Sequence, residues 1–452
     1  MPGSGRAKAH MSNVWELLSR FEFIGRLVNA DLGGVSLYYV YIALLFAGFW
    51  PGLIYLLVKN RRELLPKLFP GPCLLLALGL AAFFFLFGGN NNIYSAPSYE
   101  VQNLADAAAA VGAGELAPVV RQTRIVPLIF GAVLYFSNLQ VLKVLLWGLL
   151  GLFYSVWALI LSDVFGFSNK LVVPLLCLAA VAHVKTFYFF SAYAIFALCF
   201  SALFLYSLLA IVKKPPEEVS FLRLSQPVYL ILLASLFRQE SVVLFLVYFT
   251  GMAFAGKALF KKALLSLLAG AVLYLPFLYR DWTHEENQVL SYSWNQELVE
   301  QVYSAPPGAQ DFSGVAAADG LLLNAATNIK NGSRGGMGRQ EFVDAVRLAY
   351  FAPQPSLRNV WYNLKYRSGL FLLLTAAWLA VLLAGLLNLR YLRGELKYLA
   401  VLAAYICSLF LIYHLANMAV MIGLSYNYLV PAYLAFCLIV ARSVYRGRAG
   451  AV

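Results

Sequence analysis

Apolar positions along this chain come in long unbroken runs separated by short polar connections, the pattern of helices that are apolar all round rather than on one stripe. Runs at 36–58, 71–88, 141–164, 187–212, 263–279, 368–389, 398–422 and 428–441 each reach or approach the length of a helix crossing the bilayer hydrocarbon. Shorter runs at 126–137, 171–184, 226–237 and 241–256 bring the expected total to about ten to twelve helices. The pattern predicts an all-α polytopic membrane protein. Ahead of the first run, Trp15, Leu18, Phe21 and Ile24 interleave with Glu16, Arg20 and Glu22, so residues 12–29 read as an amphipathic helix lying in the membrane interface.

Composition agrees. With 62% hydrophobic and 12% charged residues among 452, the chain carries more apolar surface than a water-soluble core could hide. A net charge of +13 would suit nucleic acid if the basic residues shared one face, but they are spread among short connections, and no nucleic-acid partner is expected. The clusters at Lys59 to Lys67, Lys213-Lys214, Lys257 to Lys262, Arg390 to Lys397 and Arg442 to Arg448 read instead as cytoplasmic loops. The protein is then integral to the membrane and multi-pass, in the cell membrane if the host is a prokaryote. The five cysteines all fall inside apolar runs without paired spacing, which points away from a disulfide framework or a cysteine metal site. The first thirty residues lack the basic, apolar and small-residue order of a cleaved signal peptide.

The resulting organisation is a tail with an interfacial helix over 1–35, an additional span and basic loop over 36–70, a membrane module over 71–280 with a first outer loop at 89–125, a long outer loop at 281–367, and C-terminal spans with a basic tail over 368–452. Within the long loop, helical pieces are expected near 285–303 and 339–351, around a glycine- and serine-rich stretch from Asn331 to Gly338 that reads as a moving segment. Lys213 to Glu218, with two prolines, reads as a rigid cytoplasmic hinge. Both loops share one side only if one short run fails to cross, and the pair flanking Arg238-Gln239-Glu240, re-entrant or tilted, is one candidate.

The polar insert at 90–124 carries the chemistry most worth weighing. Glu100, after Pro97 and Tyr99, could accept a proton from an acceptor hydroxyl, and Asp106 is the reserve; a solvated loop acid and a helix cap are the plain alternatives. Arg121 and Arg124 stand where the loop re-enters the membrane and could grip a lipid phosphate, or simply anchor at the headgroups. Arg238 interrupts an apolar passage, which makes it a functional candidate, while Glu240 is the neighbour that would make it structural. Lys185, beside His183, is a weaker case of the same kind, since it could snorkel. Arg280 and His284 open the long loop beside Glu285 and Glu286, but no metal-binding histidine spacing accompanies them and no metal site is expected there. There is no phosphate-binding loop, dinucleotide glycine fingerprint or nucleophile elbow.

Taken in order, these features resemble the GT-C class of membrane glycosyltransferases, in particular the branch similar to protein O-mannosyltransferases and aminoarabinose transferases. The acidic outer loop looks like Tyr99-Glu100, the following short helix like 103–111, and the arginine and proline opening the next span like Arg124 and Pro127. A mid-chain basic residue before an apolar run matches Arg238-Gln239-Glu240, and Tyr426-Asn427-Tyr428 with Pro431 resembles the late Arg-Tyr-Leu-x-Pro segment, with Asn427 where that class has arginine. One acid stands where the class often has a pair, and the run at 36–58 precedes its usual first helix. The resemblance covers roughly 70–442. It implies a GT-C-like bundle with two outer loops and an inverting transfer of a sugar from a polyprenyl- or dolichyl-phosphate donor to a protein, lipid or glycan acceptor on the outer face. Glu100 would be the base, and Arg121, Arg124, Arg238 and Arg280, with Lys185, would hold the lipid phosphate. No cofactor is required, although a divalent metal is compatible with the scheme. Two other readings stand beside it: a secondary transporter or lipid flippase using Lys185, Arg238 and Glu240, and a glycan ligase or polymerase that draws on a lipid-diphosphate donor with His284.

Overall fold

The computed structural model describes residues 30–32, 35–37, 40–48, 51, 79, 109, 125–137, 139–168, 172–174, 176–177, 192–288, 295–306, 322–323, 326–327, 329–330, 336–351, 361, 396–410, 434–435 and 437–438. These residues are almost wholly helical. The departure from all-α is one short pairing, in which β1 (Asp31–Leu32) lies antiparallel to β2 (Val35–Ser36), with Asp31 opposite Ser36.

Uninterrupted apolar sequence becomes helix because, away from water, only the intrahelical ladder satisfies every backbone group. The helices are α1 (Ile125–Phe136), α2 (Leu139–Leu159), α3 (Ala192–Lys213), α4 (Phe221–Phe237), α5 (Leu244–Ala255), α6 (Lys257–Gln288), α7 (Gln296–Ser304), α8 (Arg339–Phe351) and α9 (Leu396–Phe410). Each of α1 to α5 and α9 falls on an apolar run of the sequence. Among the described residues, three stretches, Val144–Val164, Ile195–Lys213 and Lys257–Pro276, are long and apolar enough to cross a membrane. The interfacial helix expected at 12–29 and the runs at 71–88 and 368–389 lie outside the described residues, apart from Gly79.

Helix α3 is the centre of the bundle, buried along nearly its whole length among α2, α4, α5 and α9. Helix α2 runs parallel to it, with Cys199 Sγ donating to Leu149 O at 2.9 Å and Lys213 Nζ to Asp163 O at 3.1 Å. Helix α9 runs antiparallel, with Ser201 and Tyr405 hydroxyls 2.6 Å apart and Lys397 Nζ donating to Val212 O at 2.8 Å. Helices α4 and α6 run parallel to each other, joined by the Ser225 and Ser266 hydroxyls 3.2 Å apart and by Gly270, where a Cβ would stand 2.3 Å from Val228 Cγ1. Leu264, Leu265, Leu268 and Val272 on α6 face outward, as a lipid-facing helix requires.

The connections are tight. Pro216–Glu218 forms a 3-10 turn between α3 and α4, and Ser220 caps α4 by accepting from Arg223 N at 3.3 Å. At the same end of the bundle, α2 finishes in a π-turn, Ile160–Val164.

The long loop differs from expectation in two ways. Helix α6 does not stop near 280 but continues through Arg280 and His284 to Gln288, so the segment expected as one helix near 285–303 divides between α6 and α7. Beyond it, α7 and α8 build a second core with Leu298, Val299, Val302, Ile329, Phe342 and Val346, separate from the bundle core. Met337, in the stretch expected to move, is buried in this core, and its carbonyl accepts from Tyr303 OH at 3.1 Å. Gly336 takes φ +69, a left-handed turn open to glycine, to bring it there. Residues 331–335 lie outside the described residues. Lys330 Nζ closes the C-terminal end of α7, donating to the carbonyls of Val302, Ala305 and, at 3.0 Å, Tyr303.

Two predictions follow from this packing. Gly270→Ala drives a methyl into Val228 and is expected to cost about 1–3 kcal/mol of stability, lowering the melting temperature of the purified chain, with Val228→Ala in the same chain restoring most of it. Independent melting losses in the double variant would contradict the contact. In the second core, a hydrogen bond from Gln296 and the ion pair with Arg339 hold the Glu300 carboxyl below its ordinary range. A depressed carboxylate stabilises above its unfolded value, near 4.5, and that contribution disappears as pH falls through the lower folded value. Amide protection across 296–304, corrected for intrinsic exchange, should therefore fall in that window in wild type and lose this dependence in Glu300→Gln; identical profiles would refute the pairing.

Candidate functional site

Arg238 ends α4. Its N–H still donates to Ala234 O at 2.9 Å, but its backbone is extended (φ −148°, ψ 108°), and its carbonyl accepts from Ser241 N at 2.9 Å to start the 3-10 turn Gln239–Val243. The residue is thus gripped from both sides by its own backbone. The pair of helices expected around this position is a hairpin through this turn, with Ser241 buried beneath it.

Glu240 is the neighbour that the sequence offered. Its Oε1 stands 3.8 Å from Arg238 Nη1, an ion pair longer than a hydrogen bond, with the Arg238 side chain 14% and the Glu240 side chain 32% exposed. The second carboxylate oxygen, Oε2, is buried and has no hydrogen-bond partner among the described residues. The pair sets a carboxylate beside a mostly buried guanidinium at the end of α4.

The register of α4 against α6 brings in a second basic position. Helix α6 runs on beyond Gly270 in the same direction as α4, so residue 280 lies toward the end of the bundle away from Lys213 and Lys397. Arg280 and His284 are one turn apart on α6, rather than in a loop, and the side chains of both lie outside the described residues.

The remaining sequence candidates, Tyr99, Glu100, Asp106, Arg121, Arg124, Lys185, Tyr426, Asn427 and Tyr428, lie outside the described residues. Of the short helix expected at 103–111, Ala109 is described and is helical. The described part of α1, Ile125–Phe136, includes Pro127. It reaches both α2 and α4.

Two features escaped the sequence reading. The first is Asp163, whose Oδ2 accepts from Tyr206 OH at 3.0 Å while its backbone carbonyl takes Lys213. An acid inside the run 141–164 was the available signal, and the π-turn it occupies is a geometry that recurs at functional positions. The second is a cluster of phenylalanines beneath Arg238, formed by residues far apart in sequence. Among the described residues, no three histidine, cysteine or acidic side chains come together to hold a metal ion.

Comparison with protein-family models, curated proteins and solved structures gives no match. The functional reading therefore rests on the chain's own residues.

Proposed function

We propose that the chain is a multi-pass membrane glycosyltransferase of the GT-C kind, with about ten to twelve helices, that transfers a sugar from a polyprenyl- or dolichyl-phosphate donor to an acceptor on the outer face. The observation that carries this reading is the position of Arg238: at a helix end, mostly buried, and at the end of the bundle opposite the lysine-bearing one. A guanidinium in such a place can meet a lipid phosphate with parallel hydrogen bonds in low dielectric, where they are strongest. The folded second core that α7 and α8 build within the long loop supports an acceptor-facing role for that loop.

In the proposed reaction, Glu100 takes the proton of an acceptor hydroxyl as its oxygen attacks the anomeric carbon from the face opposite the phosphate. The new carbon–oxygen bond forms as the bond to the phosphate oxygen breaks, inverting the centre. Polyprenyl phosphate leaves with the bonding pair, its charge met by Arg238 and Arg280, with Arg121, Arg124 and Lys185 as further cations. Those arginines allow the step without a divalent metal and do not exclude one.

A second reading, a glycan ligase drawing on a lipid-diphosphate donor, gains from His284 standing one turn beyond residue 280 on the same helix. Transfer from a radiolabelled polyprenyl-phosphate sugar, in membranes with matched expression, separates the two. Wild type should transfer, Glu100→Gln should lose about 10²- to 10⁴-fold and Arg238→Gln about 10²- to 10³-fold. Undiminished transfer by both variants would sink the first reading, and transfer from a lipid-diphosphate glycan instead, lost in His284→Asn and kept in Glu100→Gln, would favour the second.

A further inference from the structure

Phe237, the last residue of α4, is fully buried, and its ring lies against that of Phe196 on α3, with centroids 4.3 Å apart and planes 10° from parallel. Phe200, one turn along α3, stands 5.6 Å away at 23°, and Phe46 meets the same ring edge-on at 6.0 Å and 65°. Two other segments, α3 and the stretch around Phe46, meet on this one ring. The next residue is Arg238, whose backbone is bonded back to Ala234 and forward to Ser241. The guanidinium therefore leaves the helix from the residue directly after the one the stack holds. Offset and edge-to-face aromatic pairs contribute about 0.5–1.5 kcal/mol beyond area burial, and among helices surrounded by lipid such packing counts more, because apolar burial alone drives no association there.

We infer that Phe237 is a positioning residue: the Phe196–Phe237–Phe200 stack fixes the exit direction of the Arg238 side chain, and so determines how firmly that guanidinium holds an anionic phosphate group. The identity of the phosphate rests on the reading above; the geometry of the stack does not. Phe237→Leu keeps an apolar core but removes the stacked ring, whereas Phe237→Trp keeps an aromatic plane. Phe153→Leu removes an equally buried aromatic from α2, where Phe153 packs edge-on against Tyr154, and so reports on core loss alone.

The test has two arms on the full chain. In the first, donor KM in the transfer assay should rise about tenfold to a hundredfold in Phe237→Leu, stay near wild type in Phe237→Trp, and change little in Phe153→Leu. In an Arg238→Gln background, Phe237→Leu should add nothing further, since the effect acts through the arginine. Equal KM changes from Phe237→Leu and Phe153→Leu, or an undiminished Phe237→Leu effect without the arginine, would overturn the inference. The second arm does not depend on activity. With the five native cysteines replaced by alanine and Arg238→Cys as reporter, labelling by a charged thiosulfonate should change severalfold on adding Phe237→Leu and hold on adding Phe237→Trp. Equal labelling rates in all three would contradict the stack's role. A wild type without transfer would count against the transferase reading alone, and the labelling rates then decide the positioning role.

Discussion

The constraint behind this architecture is the backbone carbonyl in an apolar surround: each one that the helical ladder does not pair must find a donor, because no water stands ready. The polar side chains of the bundle are largely committed to this task. Proline in a helix deprives a carbonyl one turn back of its donor and opens the turn around it. Pro227 and Pro276 lie inside α4 and α6, and in both helices the carbonyl three residues before the proline receives a tyrosine hydroxyl: Leu224 from Tyr248 at 3.0 Å, and Leu273 from Tyr41 at 2.5 Å. Ser155, Ser225, Ser235 and Thr250 bond back to carbonyls four residues earlier on their own helices.

Helix ends obey the same rule with stronger donors. Lys213 meets the carbonyl of Asp163 where α2 gives way to the π-turn, Lys397 meets Val212 at the end of α3, and Lys330 meets three carbonyls at the end of α7. An ammonium at a helix C-terminus also opposes the helix dipole, so each contact is favoured twice. At Arg238 the backbone makes the cap itself: the N–H donates to Ala234 O and the carbonyl accepts from Ser241 N, while the guanidinium stands 3.8 Å from the Glu240 carboxylate.

Hydropathy made much of the fold legible. The run at 187–212 became α3 (Ala192–Lys213), and 126–137 became α1 (Ile125–Phe136), because a continuous apolar run leaves the backbone no alternative to its own ladder. The same signal hid the end of α6, since hydropathy marks where a helix leaves apolar surroundings and not where its hydrogen bonds stop. The second core was only half visible: Leu298, Val299 and Val302 show helical spacing, but a glycine-rich flank concealed that Met337 packs beneath them. Arg238 was legible because a charge in an apolar passage is costly, whereas Asp163, an equal cost, was passed over. The phenylalanine stack joins residues 46, 196, 200 and 237, a tertiary meeting that no local pattern announces. For Glu100 and the other residues of the first outer loop, the sequence remains the sole guide.

Everything proposed here depends on the two ends of the bundle facing opposite sides of a membrane, with the lysine-closed turn on one and Arg238 and the second core on the other. Labelling of Glu217→Cys in the turn and Gln340→Cys in the second core, both exposed positions, with an impermeant thiol reagent in intact cells addresses this most directly. The account predicts that Gln340→Cys reacts at once and Glu217→Cys only after the cells are opened. Equal reaction at both positions before lysis would contradict it.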